Sequence, residues 1–218
     1  MTPANIAGMA YLNGLDVIAL TDHNTCKNCP ALISAAKQYG ITVIPGMELT
    51  VAEEIHILCL FGSIEDAMSF DRFVYGNLPD IKNNEKIFGN QIIMDENDFV
   101  SGTVDKLLIN ATQTGYDYLP DIISRYNGIM IPAHINKNSD SILSVFGTIP
   151  PSSSFKYAEI NKCDDIQSLI QTHSYLQECR IISDSDAHYL TDIHEKVNSL
   201  SAPGKDINDI FNILKGEI

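Results

Sequence analysis

The sequence predicts an α/β fold built on a parallel sheet or barrel. Short apolar runs alternate with helix-like segments along the chain. Several runs end in acids or histidines. Val17–Leu20 leads into Thr21-Asp22-His23-Asn24, Ile129–Ala133 into His134, and Ile181-Ile182 into Ser183-Asp184-Ser185-Asp186-Ala187-His188. Parallel strands are covered on both faces and read as continuous apolar runs, and ligands collect at their C-terminal ends. Chemistry at successive strand ends favours a barrel over an open sheet.

The elements follow in order. Thr2-Pro3 starts a helix, with Thr2 as N-cap and Pro3 at the first helical position. Ile6, Met9, Ala10 and Leu12 form its apolar stripe, and Gly14 ends it. A strand over Asp16–Leu20 comes next. Pro30–Tyr39 reads as a helix stopped by Gly40, and Thr42–Pro45 as a strand leading into Gly46-Met47-Glu48. Ile55–Phe61 predicts a strand and Ile64–Tyr75 a helix. Residues 77–107, rich in Asn and Asp, predict an irregular insertion with a small hairpin or short helix. Asp117–Tyr126 predicts a helix, followed by Gly128 and the strand Ile129–Ala133. Strands at Tyr157–Ile160 and Arg180–Ser183 flank a helix over Asp165–Gln177. A late strand near Val197–Leu200 and a helix over Ile207–Lys215 close a single domain spanning 1–218. The sequence carries no internal repeat.

The 218 residues are 44% apolar with a mean hydropathy of -0.01, enough to bury one core. The net charge of -14 and a pI of about 4.6 argue against a long nucleic acid or an anionic membrane as partner, since phosphate contacts need Lys and Arg. No apolar run reaches membrane-spanning length. The five cysteines are odd in number and irregularly spaced, which predicts free thiols and a cytoplasmic location. Cys26 and Cys29 form a C-x-x-C pair without the second pair that a zinc knuckle needs, so loop packing is expected of them.

The candidate ligands are Asp22, His23, Glu48, His56, His134, Asp186 and His188. Each alone has an ordinary reading: a histidine after a strand is commonly a hydrogen-bonded loop residue, and Asp22 suits an Asx turn. Together they place imidazoles and carboxylates at one level of the fold, and that donor mixture suits Zn, Mn or Fe. His56 stands at the start of its run, so its side chain has two available directions. His173 and His194 read as surface residues. Asn24, Lys27 and Lys137 are polar neighbours able to meet a substrate anion. Ser183 and Ser185 are weak nucleophile candidates beside the better metal spacing of Asp186 and His188.

These motifs resemble the PHP family (polymerase and histidinol phosphatase domains) of metal-dependent phosphoesterases. The resemblance rests on Thr21-Asp22-His23-Asn24, Gly46-Met47-Glu48, His56, Pro132-Ala133-His134 and Ser183-Asp184-Ser185-Asp186-Ala187-His188. It implies a distorted (β/α)7 TIM-like barrel with up to three divalent metals. Six of the family's nine ligands carry over: His23, Glu48, His56, His134, Asp186 and His188. The family's opening strand with its His-x-His motif has no counterpart here. The resemblance therefore implies a barrel without its first strand and fewer metals than three. Glu48, His56 and His134 would make one complete site, while His23 and His188 would lack a third ligand. A longer natural protein is expected over a decayed paralogue.

What the resemblance implies about activity is hydrolysis of a phosphate mono- or diester by metal-activated water. Glu48 would bridge metals, Asp186 and His188 would hold the far side, and Asp22 would orient His23 or a neighbouring ligand. The expected substrate is a small phosphorylated compound, a nucleotide included. An unpaired sheet edge would favour self-association. Two other readings stand beside this one: a catalytically impaired binding or regulatory domain, and an amidohydrolase-type hydrolase. The latter typically uses a Lys at a strand end.

Overall fold

A computed structural model describes residues 1–161 and 166–216. Helix α1 (Pro3–Leu12) packs against α2 (Cys29–Ala36), and strand β1 (Val17–Leu20) runs between them in sequence. The chain continues through β2 (Thr42–Thr50), β3 (His56–Leu60) and α3 (Ile64–Asn77). Residues 77–107 hold both elements weighed for them, a short helix α4 (Glu85–Phe88) and a hairpin of β4 (Ile92–Met94) and β5 (Val100–Thr103). Next come α5 (Leu119–Ser124), β6 (Ile129–Pro132), α6 (Ile142–Phe146), β7 (Tyr157–Glu159), α7 (Ile166–Thr172), β8 (Arg180–Ile182) and α8 (Ile207–Lys215). Asp165, the predicted start of α7, lies outside the described residues, as does Cys163.

The sheet is mixed, which corrects the expectation of an all-parallel one. Its order is β1-β2-β3-β6, with β1 parallel to β2 and β3 antiparallel to both β2 and β6. Strands β7 and β8 form a separate parallel pair. Among the described residues no closed barrel forms. Ile135 N donates to Glu159 O at 2.9 Å and links the end of β6 to β7 without a ladder.

The apolar runs are explained by burial on two faces. Ile57 and Cys59 point into the larger core, with Met47, Leu49 and Phe70. Leu58 and Leu60 point the other way, into a second cluster with Val17, Ile44, Ile131, Tyr157 and Ile182. Six strands thus share one apolar interior, and Ile210 and Phe211 of α8 cover it. Strand β2 changes partner at Gly46, from β1 to β3. A Cβ there would lie 2.6 Å from Cys59 O, so only glycine allows the close approach.

Two further expectations are corrected. Residues 197–200 form no strand; the segment is tied to β8 by side chains, with Asn198 Nδ2 donating to Ser183 O at 2.7 Å and Arg180 Nη2 to Ser199 O at 2.7 Å. Thr2 does precede α1, but its hydroxyl does not cap it. The Thr2 hydroxyl donates to Asp98 Oδ2 at 2.6 Å, and Asp98 Oδ1 accepts from Ala4 N at 2.9 Å. The cap comes from the β4–β5 turn, so the insertion is fastened to α1.

Asp98 has φ +66°, a conformation that Asn tolerates almost as well. Replacing Asp98 with Ala should cost about 1–2 kcal/mol in denaturant unfolding. Asp98→Asn, which keeps an acceptor, should cost less. Equal losses from both variants would rule out the carboxylate as the cap.

Candidate metal centre

Glu48 lies inside β2, 6% exposed, among three imidazoles. His56 Nδ1 and His134 Nε2 lie 3.0 and 3.2 Å from its Oε1, and His23 Nδ1 lies 3.4 Å from its Oε2. The antiparallel direction of β3 explains why His56 joins. It is the first residue of β3, and the start of β3 stands beside Thr50 at the end of β2. His23 follows β1 and pairs with Glu48 as an isolated parallel bridge. His134 follows β6, which runs parallel to β2 because each is antiparallel to β3.

Ligand atoms of His23, Glu48 and His56 lie within 4.8 Å of one another. The His56 ring is 5.3 Å from both the His23 and the His134 rings. Burial alone would raise the Glu48 carboxyl, but hydrogen bonds from His134 and His56 and the nearby imidazole charges carry it well below the ordinary carboxylate range. Burial lowers His23, against the pull of Glu48, and so favours its neutral form. An ionised carboxylate and neutral imidazoles are the protonation states a metal ligand needs. The buried Nδ1 atoms of His23 and His134 have no hydrogen bond. Orphaned buried nitrogens are costly unless something binds them, so this donor set fits a divalent cation.

Asp186 and His188 stand on the facing wall. They line a cavity of about 510 Å³ together with Asp22, His23 and Glu48. The His188 and His23 rings are 6.3 Å apart. His188 Nδ1 donates to Asp186 O at 2.8 Å, which leaves the Nε2 lone pair free. Asp186 Oδ2 accepts from Lys137 Nζ at 2.6 Å. Asp22 accepts from Asn28 Nδ2 at 3.2 Å, and its burial raises its pKa. That bond ties Asp22 to α2's N-terminal end rather than to His23.

Three residues here take up left-handed backbone: Asn24 at φ +51°, His134 at +32° and Asp186 at +44°. Such strain persists where surrounding bonds fix it. Asn24 shows how. Its amide donates to Leu108 O at 2.7 Å and Asn110 O at 3.0 Å, and its oxygen accepts from Thr50 N at 2.9 Å. The loop beyond it is held by buried Asp71, which accepts from Thr25 Oγ1 at 2.8 Å and Cys26 N at 2.9 Å and pairs with Lys27. Asn24 and Lys27 are therefore committed to structure, not to a substrate. Cys26 and Cys29 are buried in the core as free thiols. His173 is half-buried and His194 is exposed.

Sequence reasoning missed Glu159, the last residue of β7. Its buried Oε2 accepts from His134 N at 3.1 Å, and burial, then the facing Asp184 carboxyl, raises its pKa. The predicted strand Tyr157–Ile160 runs past Glu159, so the strand-end pattern that marked the other acids did not mark it.

A mixed α/β sheet thus presents imidazoles and a carboxylate able to hold a metal ion at one end. The chain belongs to the PHP domain family, whose model matches residues 1–180. Comparison with the curated proteins gave no significant match. Among solved structures, the chain is similar to a lesion-specific endonuclease, endonuclease Q, from Pyrococcus furiosus, at TM-score 0.63 and 15% identity. That match covers 99% of this chain and 51% of the endonuclease, so the chain spans about half its length. It is similar to a protein assigned as a metal-dependent phosphoesterase from Bifidobacterium adolescentis (TM-score 0.58, 14% identity, 98% of this chain and 90% of that one). An amidohydrolase from Chromobacterium violaceum with bound sulfate is similar at TM-score 0.54 and 14% identity, over 94% of this chain and 84% of its own. At such identities the likeness is one of fold.

Titration with Zn or Mn should stabilise the protein by about 2.7 kcal/mol at a hundredfold excess over Kd. Glu48→Gln should remove that gain in a thermal melt. Undiminished stabilisation of the Gln variant would place the metal elsewhere. Separately, Asn24→Ala should lower stability by about 1–3 kcal/mol, because it leaves buried backbone groups unpaired. Denaturant titration measures the loss.

Proposed function

We propose that the protein is a metal-dependent phosphoesterase hydrolysing a phosphate mono- or diester. The observation that carries this is the buried Glu48 carboxylate with three imidazoles within 3.4 Å. His23, Glu48, His56 and His134 would hold a divalent cation such as Zn, Mn or Fe, and Asp186 and His188 face that cluster across the cavity. When bound, a cation here supplies positive charge for a phosphoryl oxygen and lowers the pKa of a water molecule toward neutrality.

The chain's own residues do the rest. The cavity of about 510 Å³ has room for a small phosphorylated compound beside Glu48 and His188. His188 is 61% exposed at its side chain, and its Nε2 is the available proton acceptor. Asp186 fixes that tautomer through its backbone carbonyl. Asp22, tied to Asn28, holds the turn that carries His23. The net charge of -14 supports a small substrate such as a nucleotide over a long nucleic acid. No described helix is long and apolar enough to cross a membrane. The buried free thiols fit a reducing, cytoplasmic setting.

The test is a panel of phosphate esters against amides and lactones, each run with added metal and with chelator. Metal-dependent release of phosphate is expected, and His188→Ala should lower kcat by about 10²-fold or more. Turnover confined to amides or lactones would overturn the phosphoesterase assignment in favour of the amidohydrolase type. Equal kcat in the His188→Ala variant would remove its proton-transfer role.

A further inference from the structure

We propose that Lys137 is the residue that recognises the phosphoryl group of the substrate. The proposal rests on the phosphoesterase reading and names the anion-binding group of that same site. Lys137 Nζ lies 2.6 Å from Asp186 Oδ2, with the two side chains 34% and 26% exposed. An ammonium has three N–H donors. Among the described residues Asp186 is its one hydrogen-bond partner, so two donors remain for an incoming oxygen.

Other lysines are committed elsewhere. Lys27 pairs with Asp71, Lys106 Nζ donates to Tyr75 O at 3.2 Å and Leu78 O at 2.9 Å, and Lys196 and Lys205 pair with Asp16 at the opposite end of β1. The backbone of Lys137 is fixed. Its N–H donates to His134 O at 2.9 Å, and its carbonyl accepts from buried Ser141 Oγ at 2.7 Å. Next to it, Asn136 bonds both N and O of Asn161, at 2.9 and 2.7 Å. The ammonium is thereby anchored three residues from His134.

Charge gives this position its purpose. Asp22, Glu48 and Asp186 line one cavity, in a chain of net charge -14. A phosphate dianion entering it is repelled. A cation on the Glu48 cluster neutralises that cluster, while Asp186 on the other wall keeps its own charge. Lys137 neutralises Asp186 and still offers donors to the phosphate, as a point charge suited to phosphoryl oxygens.

The experiment compares wild type, Lys137→Met and Lys137→Arg, all loaded with metal. Calorimetry measures binding of inorganic phosphate, steady-state kinetics give KM and kcat for a phosphomonoester, and plasma mass spectrometry gives bound metal. The Met variant is expected to bind phosphate about tenfold or more weakly and to raise KM alike, with wild-type metal content. Lys137→Arg should recover most of the affinity. Unchanged phosphate affinity in the Met variant overturns the role. So does metal content falling in step with affinity, which would make Lys137 a support for the metal cluster. If wild type cleaves no phosphate ester yet loses phosphate binding on Lys137→Met, the anion role stands and the phosphoesterase reading falls. A wild type that binds no phosphate overturns the role of Lys137 whatever it turns over.

Discussion

One buried carboxylate organises this molecule. Glu48 is 6% exposed, and a charge at that depth is costly unless its partners are fixed around it. The partners are imidazoles from three separate chain segments, and each arrives for a reason of topology. His23 and His134 follow strands parallel to β2, while His56 begins a strand antiparallel to it. All reach the same end of the sheet. Burial favours the neutral form of His23, and the buried Nδ1 atoms of His23 and His134 have no hydrogen bond. The packing that stabilises the fold thus leaves nitrogen donors unpartnered beside a carboxylate, an arrangement that suits a divalent cation.

The loops that carry these groups are strained where the chemistry is and bonded firmly around it. Asn24, His134 and Asp186 all hold positive φ. Asn24 fastens the end of β1 to the end of β2 and to the close of the insertion, while Asp71 on α3 anchors the next residues. The insertion is held at its other end by Asp98, which caps α1. A segment that looks irregular in sequence is thus bonded to the elements on either side of the cavity and forms part of its wall through Ile92 and Met94.

The strand runs and most helices were legible in the sequence because both sheet faces are buried, and helix ends carry their own punctuation. Gly40, for example, stops the helical stretch after α2 at φ +66°. Strand direction was not legible. The run from Ile57 to Leu60 has the same apolar composition whether it pairs parallel or antiparallel, since its two faces enter two different cores. That hid why His56, at the start of its strand, belongs with residues at the ends of others. Val197–Leu200 misled for the opposite reason: it lies beside β8, but the bonds that hold it there come from Asn198 and Arg180 side chains and not from a backbone ladder. The caps and clamps at Asp98, Asn24 and Asp71 join residues far apart in sequence, and no local pattern announces them.

The sheet topology also divides the site's labour. His23, Glu48, His56 and His134 all hang from one hydrogen-bonded sheet, β1-β2-β3-β6. Asp186 and His188 hang from the β7-β8 pair, which the described ladders do not join to that sheet. The two groups meet through packing in the shared apolar interior, the link between Ile135 and Glu159, and the ion pair of Lys137 with Asp186. Holding a cation needs donor atoms fixed to within a few tenths of an ångström, which a continuous ladder provides. On the proposed reading, the β7-β8 wall, packed against the sheet without a ladder to it, is the side that meets the phosphate. Lys137 spans the division, with its backbone bonded to the His134 carbonyl and its ammonium on Asp186. A substrate oxygen drawing the ammonium from Asp186 would therefore register on both halves of the site at once.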